Sequence, residues 1–128
     1  MDIQRNRQLL IDALESGDYV KCRWNLKARC DFETKEKFYH NAHCFWGVAC
    51  EVYMQENPEK CKWMGARGTQ FVMTGDFWAH HVTVPPAVSE FFGLYEYESQ
   101  LIDASDGDNL NFSQMAQMVR GIPIQETA

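Results

Sequence analysis

The segment HNAHCFWGVAC, residues 40–50, constrains the fold most, because its hydrophobic pattern changes from that of a strand to that of a helix. The stretch KFYH, residues 37–40, leads into this segment and predicts a strand. Residues 47–57, in contrast, carry apolar side chains at helical spacing and are followed by Pro58. At the junction, Gly47 permits a close approach of two backbones. We therefore expect this segment to lie in the core, where the helix crosses a sheet.

Three further helices are predicted from apolar spacing and from residues that start or stop helices. The third has the strongest signal, because Asn111 and Gln114 form a capping-box pattern ahead of an apolar stripe that ends at Gly121. The predicted helices cover residues 3–16, 87–92 and 112–120, with Gly17 and Gly93 as stops for the first two.

Strands are predicted where polar and apolar residues alternate, and they cover residues 19–26, 37–40, 69–73 and 80–84. In the first, Val20, Cys22, Trp24 and Leu26 are expected to form the buried face. Residues 30–35 and 58–68 are predicted to be a turn and a loop, and residues 103–109 an acidic turn. The fold class is therefore α+β: a small antiparallel sheet of about four strands with three or four helices packed on it. One domain spans residues 1–128, with a frayed tail from about residue 122.

Composition and charge narrow the functional classes. Hydrophobic residues make up 45% of the 128 residues, which is enough for a real core. Residues 1–67 hold 11 basic and 10 acidic residues, whereas residues 68–128 hold one basic and eight acidic residues. A dominant basic face is missing, so duplex nucleic acid is not an expected partner. Five cysteines without an export signal predict reduced thiols and a cytoplasmic location, and no apolar run predicts a membrane span.

Four side chains in the opening segment are of the types that bind zinc, namely His40, His43, Cys44 and Cys50. His40 and His43 fall on opposite sides of an extended strand, Cys50 lies within the helix, and the sequence has no Cys-x-x-Cys pair. Core packing is therefore favoured for the cysteines, and neither a metal nor a cofactor is expected. The four residues remain an outside candidate for a metal site.

Cys44 is the outside candidate for a nucleophile, because a helix N-terminus lowers the pKa of a thiol. Its base would be His80 or His81, with Asp76 or Asn41 to orient the imidazole. An enzyme is nevertheless the less favoured class.

A basic segment suggests a ligand site. Lys21, Arg23, Lys27 and Arg29 occur without an intervening acid, and guanidinium groups bind phosphate while aromatic rings stack on bases. The residues expected to bind such a ligand, within one chain or across a dimer, are Arg23, Trp24, Arg29, Trp46, Trp78, His80 and Arg120.

Several motifs occur in a recognisable order: ALESGDYVKCRWNL, HCFWGVACEVY, VPPAVSEFFGL and LIDASDG followed by NFSQMAQMV. Together they resemble a group of small phage and prophage proteins whose tasks are mostly unassigned, over about residues 10–120. Two positions depart from the group's pattern, since HCFW stands where Cys-Cys-Leu is usual and Ser105-Asp106 where Asn-Asp is usual. The resemblance implies a phage context and a role in the contest between virus and host.

These observations predict a non-enzymatic phage accessory protein that counteracts host defence in the cytoplasm of an infected bacterium. Its most concrete form is sequestration of a small anionic nucleotide-type signal. One alternative is an acidic inhibitor that binds a host protein through Asp103, Asp106 and Asp108, with mimicry of nucleic acid as one form of it. A second is a thiol enzyme that uses Cys44 with His80 or His81.

Overall fold

The structure is a computed structural model, and it describes residues 2–33, 38–65, 68–75, 79–80 and 83–124. Within these ranges it contains five α-helices and two three-stranded sheets. The predicted α+β class is confirmed. The predicted single sheet is wrong, because the strands divide into two small sheets and more helices form than expected.

Helix α2, Phe45–Glu56, lies at the centre of the core. Its first six residues are all buried, as are Val52 and Tyr53, so the helix is covered on nearly every side. Gly47 explains how it fits: a Cβ atom there would lie 1.6 Å from the carbonyl oxygen of Leu26. The predicted close approach at Gly47 is confirmed, and the helix starts two residues earlier than expected.

Helices α1, Ile3–Glu15, and α5, Phe112–Arg120, pack against each other, and α1 also packs against α2. Asp2 caps α1 by accepting a hydrogen bond from the backbone of Arg5 at 3.0 Å. The predicted capping box of α5 is present, with bonds of 2.8 and 2.9 Å in the two directions between Asn111 and Gln114.

The first sheet has the order β1-β3-β2, with β1 Val20–Lys21, β2 Lys27–Glu33 and β3 Phe38–His43. Strands β2 and β3 are antiparallel, whereas β1 runs parallel to β3. The predicted strand over residues 19–26 is therefore wrong beyond residue 21, and the predicted turn over 30–35 begins inside β2. Leu26 is buried as expected, but Trp24 is 49% exposed.

The second sheet is antiparallel in the order β4-β5-β6, with β4 Cys61–Met64, β5 Gln70–Met73 and β6 Ala79–His80. Strand β5 agrees with the prediction over residues 69–73. Strand β4 lies in a stretch predicted as loop. Of the predicted strand over 80–84, residue 80 is in β6, residues 83 and 84 are not in a strand, and residues 81 and 82 lie outside the described residues.

The C-terminal part is more helical than predicted. Helix α3, Pro86–Phe91, is followed by a 3-10 turn, Tyr95–Tyr97, and by α4, Glu98–Ile102. The segment predicted as an acidic turn continues α4 as a π-helical turn, Asp103–Gly107. Turns of this kind occur often at functional sites.

A buried arginine joins three distant segments. Arg7 in α1 donates hydrogen bonds to the carbonyl oxygens of Phe92 at 3.1 Å and Gly93 at 3.0 Å, and to that of Ile122. Carbonyl groups at the ends of α3 and α5 thus replace water around the guanidinium. Burial lowers the pKa of Arg7 from its ordinary value.

Candidate functional site

The loop of residues 22–26, here called the Trp24 loop, joins β1 to β2 and contains the first cluster of predicted site residues. Trp24 has a backbone φ of 67°, in the left-handed region that bulky residues rarely adopt. Its side chain is nevertheless one of the most exposed large apolar groups among the described residues. The loop therefore holds an aromatic ring in water at a cost in backbone energy.

Basic side chains hold this loop against the π-helical turn. Arg23 donates from Nε to the carbonyl oxygen of Asp106 at 2.7 Å and from Nη2 to that of Gly107 at 3.1 Å. Lys21 donates to the carbonyl oxygen of Ser105 at 2.6 Å and reaches Oδ1 of Asn109 at 3.3 Å. Part of the basic segment therefore binds the protein's own backbone.

The side chain of Asp106 adds a further hydrogen bond between the π-helical turn and the Trp24 loop. It is fully buried, and its carboxylate accepts a hydrogen bond from the hydroxyl of Ser105 at 3.1 Å and one from the backbone of Trp24. The same hydroxyl accepts a bond of 3.2 Å from the backbone N–H of Phe45, the first residue of α2. Burial raises the pKa of Asp106, although these bonds and the charges of Lys21 and Arg23 oppose the rise. Asp106 cannot meet a partner protein directly, unlike the exposed Asp103 and Asp108.

Cys44 lies at the start of α2 and is buried, as favoured for the cysteines, and the activation considered as an outside alternative is absent. Burial raises the pKa of its thiol to about 12, and the charge of Asp106 adds to the rise, whereas backbone N–H groups of Gly47 and Trp46 only partly offset it. A buried, protonated thiol is a poor nucleophile. The geometry does not support a thiol enzyme at Cys44.

A second polar cluster, here called the His43 cluster, surrounds the last residue of β3, which directly precedes Cys44 in the chain. His43 is buried, and Glu51 Oε1 lies 3.1 Å from its Nε2 and 3.3 Å from Nζ of Lys27. Lys27 also lies 4.7 Å from the ring centroid of Trp63, and the ring of Tyr19 meets that of His43 edge-on at 5.2 Å. These contacts connect the first sheet, the second sheet and α2.

The electrostatics of the His43 cluster favour an ionised Glu51. Burial raises the pKa of its carboxyl, but the hydrogen bond from His43 and the charge of Lys27 outweigh burial and lower the pKa overall. An ionised carboxylate accepts from both neighbours, so Nε2 of His43 carries the proton. Nδ1 of His43 then faces the interior without a hydrogen-bond partner among the described residues.

The other predicted ligand residues have different neighbours. Trp46 is buried and donates from Nε1 to the carbonyl oxygen of Glu98 at 3.3 Å, so it is a core residue and cannot stack on a base. Arg120 forms a two-pronged ion pair with Glu15 at the end of α1. His80 pairs with Phe71 across β5 and β6. Trp46 and Arg120 therefore have partners of their own, and a common ligand site of Arg23, His80 and Arg120 stays a prediction.

Some predicted residues fall where the structure gives no side-chain detail. Trp78, His81 and Asp76 lie outside the described residues, and the side chains of Arg29, His40 and Asn41 do as well. Across the described parts of the chain, no group of three or more potential ligands could hold a metal ion. Of the four proposed zinc ligands, His43 binds Glu51 and both cysteines are buried with raised thiol pKa values.

Two groups of residues were missed by sequence reasoning. Lys27 and Glu51 were not paired with His43, although Lys27 lies opposite His43 in the β2–β3 register. A signal for Glu51 does exist, since it is the only charged residue in the apolar stretch from 44 to 54. Ser105 carried no comparable local signal, and Asp106 was predicted only as an acidic surface group, because their partners in the fold lie about 60 or more residues away in the sequence.

Comparison with protein-family models, curated proteins and solved structures found no match to the chain. Among the residues described, no helix has the length and apolar character that crossing a membrane requires.

Proposed function

We propose that the protein is a non-enzymatic binding protein and that the Trp24 loop is its contact surface. The observation that carries this proposal is the exposed ring of Trp24 on a left-handed backbone. Strained conformations persist where the surrounding contacts enforce them, and they concentrate at functional sites. Here the enforcing contacts are the bonds from Arg23, Lys21 and the Trp24 backbone to the π-helical turn.

The ligand that this surface fits best is a small anionic nucleotide-type molecule. An indole ring fixed in water offers a stacking plane for a base, which contributes about 1–3 kcal/mol. Nε and Nη2 of Arg23 hold the loop, and no described residue engages Nη1, which is free to meet a phosphate. The guanidinium and the ring belong to adjacent residues, so one ligand could contact both.

The biological role that we attach to this binding is interference with host defence by a phage-encoded protein that sequesters an immune signal. It is supported by the resemblance of the ordered motifs to small phage proteins. Sequestration requires binding without turnover, and the buried thiol of Cys44 is consistent with a protein that lacks a reactive nucleophile there.

Isothermal titration against cyclic mononucleotides, cyclic dinucleotides and ADP-ribose derivatives tests the proposal. We expect one class to bind and Trp24→Ala to weaken its binding by about tenfold or more, since losing one stacked base costs roughly 1–3 kcal/mol. Trp24→Phe should retain part of the affinity. Met64→Ala is the matched control, because Met64 is a similarly exposed apolar residue on β4 and lies outside the loop.

Two results would overturn the proposal. One is the absence of heat with every member of the panel at protein concentrations of about 50 µM or more, where complexes in the micromolar range saturate. The other is binding that Trp24→Ala and Met64→Ala affect equally, because the loop would then have no special part in it.

A further inference from the structure

Two cysteines lie side by side where the parallel strands β1 and β3 end. The last residues paired in the register of these strands are Lys21 and His43, so the next residues in step are Cys22 and Cys44. The backbone N–H of Cys22 donates to the carbonyl oxygen of His43 at 2.9 Å. Cys44 has an extended backbone, with φ of −83° and ψ of −179°. Both strands therefore continue in direction as far as the two cysteines.

This placement suits a disulfide bond. Neighbouring strands lie about 4.7–4.9 Å apart, and residues in step on parallel strands point to the same face of the sheet. A disulfide requires Cα atoms about 4.4–6.8 Å apart, so the spacing of the strands falls within its range. The two thiols also influence each other, because the pKa of Cys44, raised chiefly by burial, is raised further by the charge of Cys22.

The two thiols differ in their access to water. Cys44 is 1% exposed, whereas Cys22 is partly exposed, so an oxidant in solution meets Cys22 first. Cys22 also belongs to the Trp24 loop, where its Sγ donates to the carbonyl oxygen of Asn25 at 3.4 Å. Disulfides in cytosolic proteins are usually transient and serve catalysis or redox sensing.

We propose that Cys22 and Cys44 are a site of reversible oxidation, where a peroxide causes a disulfide to form that regulates ligand binding at the Trp24 loop. The regulatory part rests on the function proposed above. The disulfide itself does not depend on any ligand.

The chemistry takes two steps with hydrogen peroxide as the oxidant. First, the sulfur of Cys22 takes one oxygen atom and becomes a sulfenic acid, while the O–O bond breaks and the peroxide is reduced to water. Second, the sulfur of Cys44 attacks the sulfur of Cys22, and the S–O bond breaks. The hydroxide leaves with the proton of the Cys44 thiol as a second water molecule. A dithiol reductant reverses the reaction by thiol–disulfide exchange.

The disulfide would change the shape of the Trp24 loop. It would draw the sulfur of Cys22 away from Asn25 and tie it to the residue before α2. The left-handed backbone of Trp24 follows two residues later, so we expect the oxidised protein to bind its nucleotide ligand about fivefold or more weakly. Few Cys44 thiols are ionised, so the bond should form over minutes to hours.

Peptide mass spectrometry of the intact protein after treatment with hydrogen peroxide tests the proposal. Remaining thiols are blocked with iodoacetamide in denaturant, and chymotryptic cleavage after Phe45 or Trp46 then separates Cys44 from Cys50. We expect a peptide that links Cys22 to Cys44, lighter by two hydrogen atoms than its separate parts. Dithiothreitol should remove it.

Three variants give the experiment its controls. Cys61→Ala should form the same linked peptide, since Cys61 is another buried thiol but lies on β4. Cys22→Ser should form none. Cys44→Ala leaves no thiol in step with Cys22, so dimedone should label the sulfenic acid at Cys22. Circular dichroism confirms that each variant is folded.

The disulfide is excluded if peroxide oxidises Cys22 without linking it to Cys44, or links it equally to Cys30 or to a second chain. Nucleotide titration of the reduced and oxidised proteins tests the regulatory part, and equal affinities overturn it. If the reduced protein binds no nucleotide, the regulatory part falls together with the proposed function. The linked peptide still decides whether the oxidation site exists, so the two failures are distinguishable.

Discussion

Cys44 illustrates how much a single position depends on its surroundings. The sequence correctly places it beside a helix N-terminus, where a thiol is usually activated. Core packing was the favoured expectation for this cysteine, but the segments that bury it, such as the π-helical turn about 60 residues away, are not specified by the local sequence. Burial and the nearby charge of Asp106 together raise the thiol pKa, opposite to the effect of the helix N-terminus.

Cys44 should therefore resist alkylation in the folded protein. With a pKa of about 12, the thiolate fraction at neutral pH is on the order of 10⁻⁵, against roughly one per cent for an ordinary thiol. Iodoacetamide labelling followed by peptide mass spectrometry measures this, and the same reaction in denaturant is the control. Modification of Cys44 within minutes in the native protein would contradict the assignment.

At the scale of elements, α5 is the one that local sequence specifies best. Its N-cap, capping box and apolar stripe are all within ten residues, and all three are present in the structure. Local signals of this kind do not depend on the rest of the fold.

Asn111→Ala should lower the free energy of unfolding by about 1 kcal/mol, because it removes the acceptor for the backbone N–H of Gln114. Urea unfolding followed by circular dichroism measures the change. Ser113→Ala is the matched control, as it alters an exposed residue in the first turn of α5 and should be neutral or slightly stabilising. Equal losses in both variants would exclude a specific role for the cap.

The strands were harder to predict, for a physical reason. Residues 19–26 alternate as a strand does, yet the chain leaves the sheet after Lys21 because Lys21 and Arg23 bind carbonyl groups more than 80 residues away. Strand β4 was missed because it pairs, among the described residues, with β5 alone and its own sequence has no clear alternation. Helices were predicted from local spacing, whereas strand limits depended on pairings that the local pattern does not record.

At the scale of the whole molecule, the His43 cluster couples three elements through the charge of Glu51. The pKa of Glu51 is lower in the folded protein than its ordinary value of 4.5. The stability that the ionised carboxylate contributes is therefore present above about pH 4.5 and is lost as the pH falls through the folded pKa.

Glu51→Gln should consequently lower the free energy of unfolding at neutral pH. The difference in this free energy between the variant and the wild type should become smaller as the pH falls below about 4.5. Urea midpoints measured from neutral pH to about pH 3 test this. Glu59→Gln, at an exposed position, is the control, and its urea midpoint should change with pH as that of the wild type does. A gap that stays constant with pH would exclude the ionic contribution of Glu51.

The bonds of Arg7 bear on how the chain folds while it is being made. Synthesis produces α1 first, but the three carbonyl groups that receive its guanidinium follow at positions 92, 93 and 122. Until the last of them exists, burying that charge leaves donors without acceptors, and water is the better solvent for it. Helix α1 thus reaches its final environment only after residue 122 has been made, 115 positions after Arg7, and its apolar face stays available to chaperones until then.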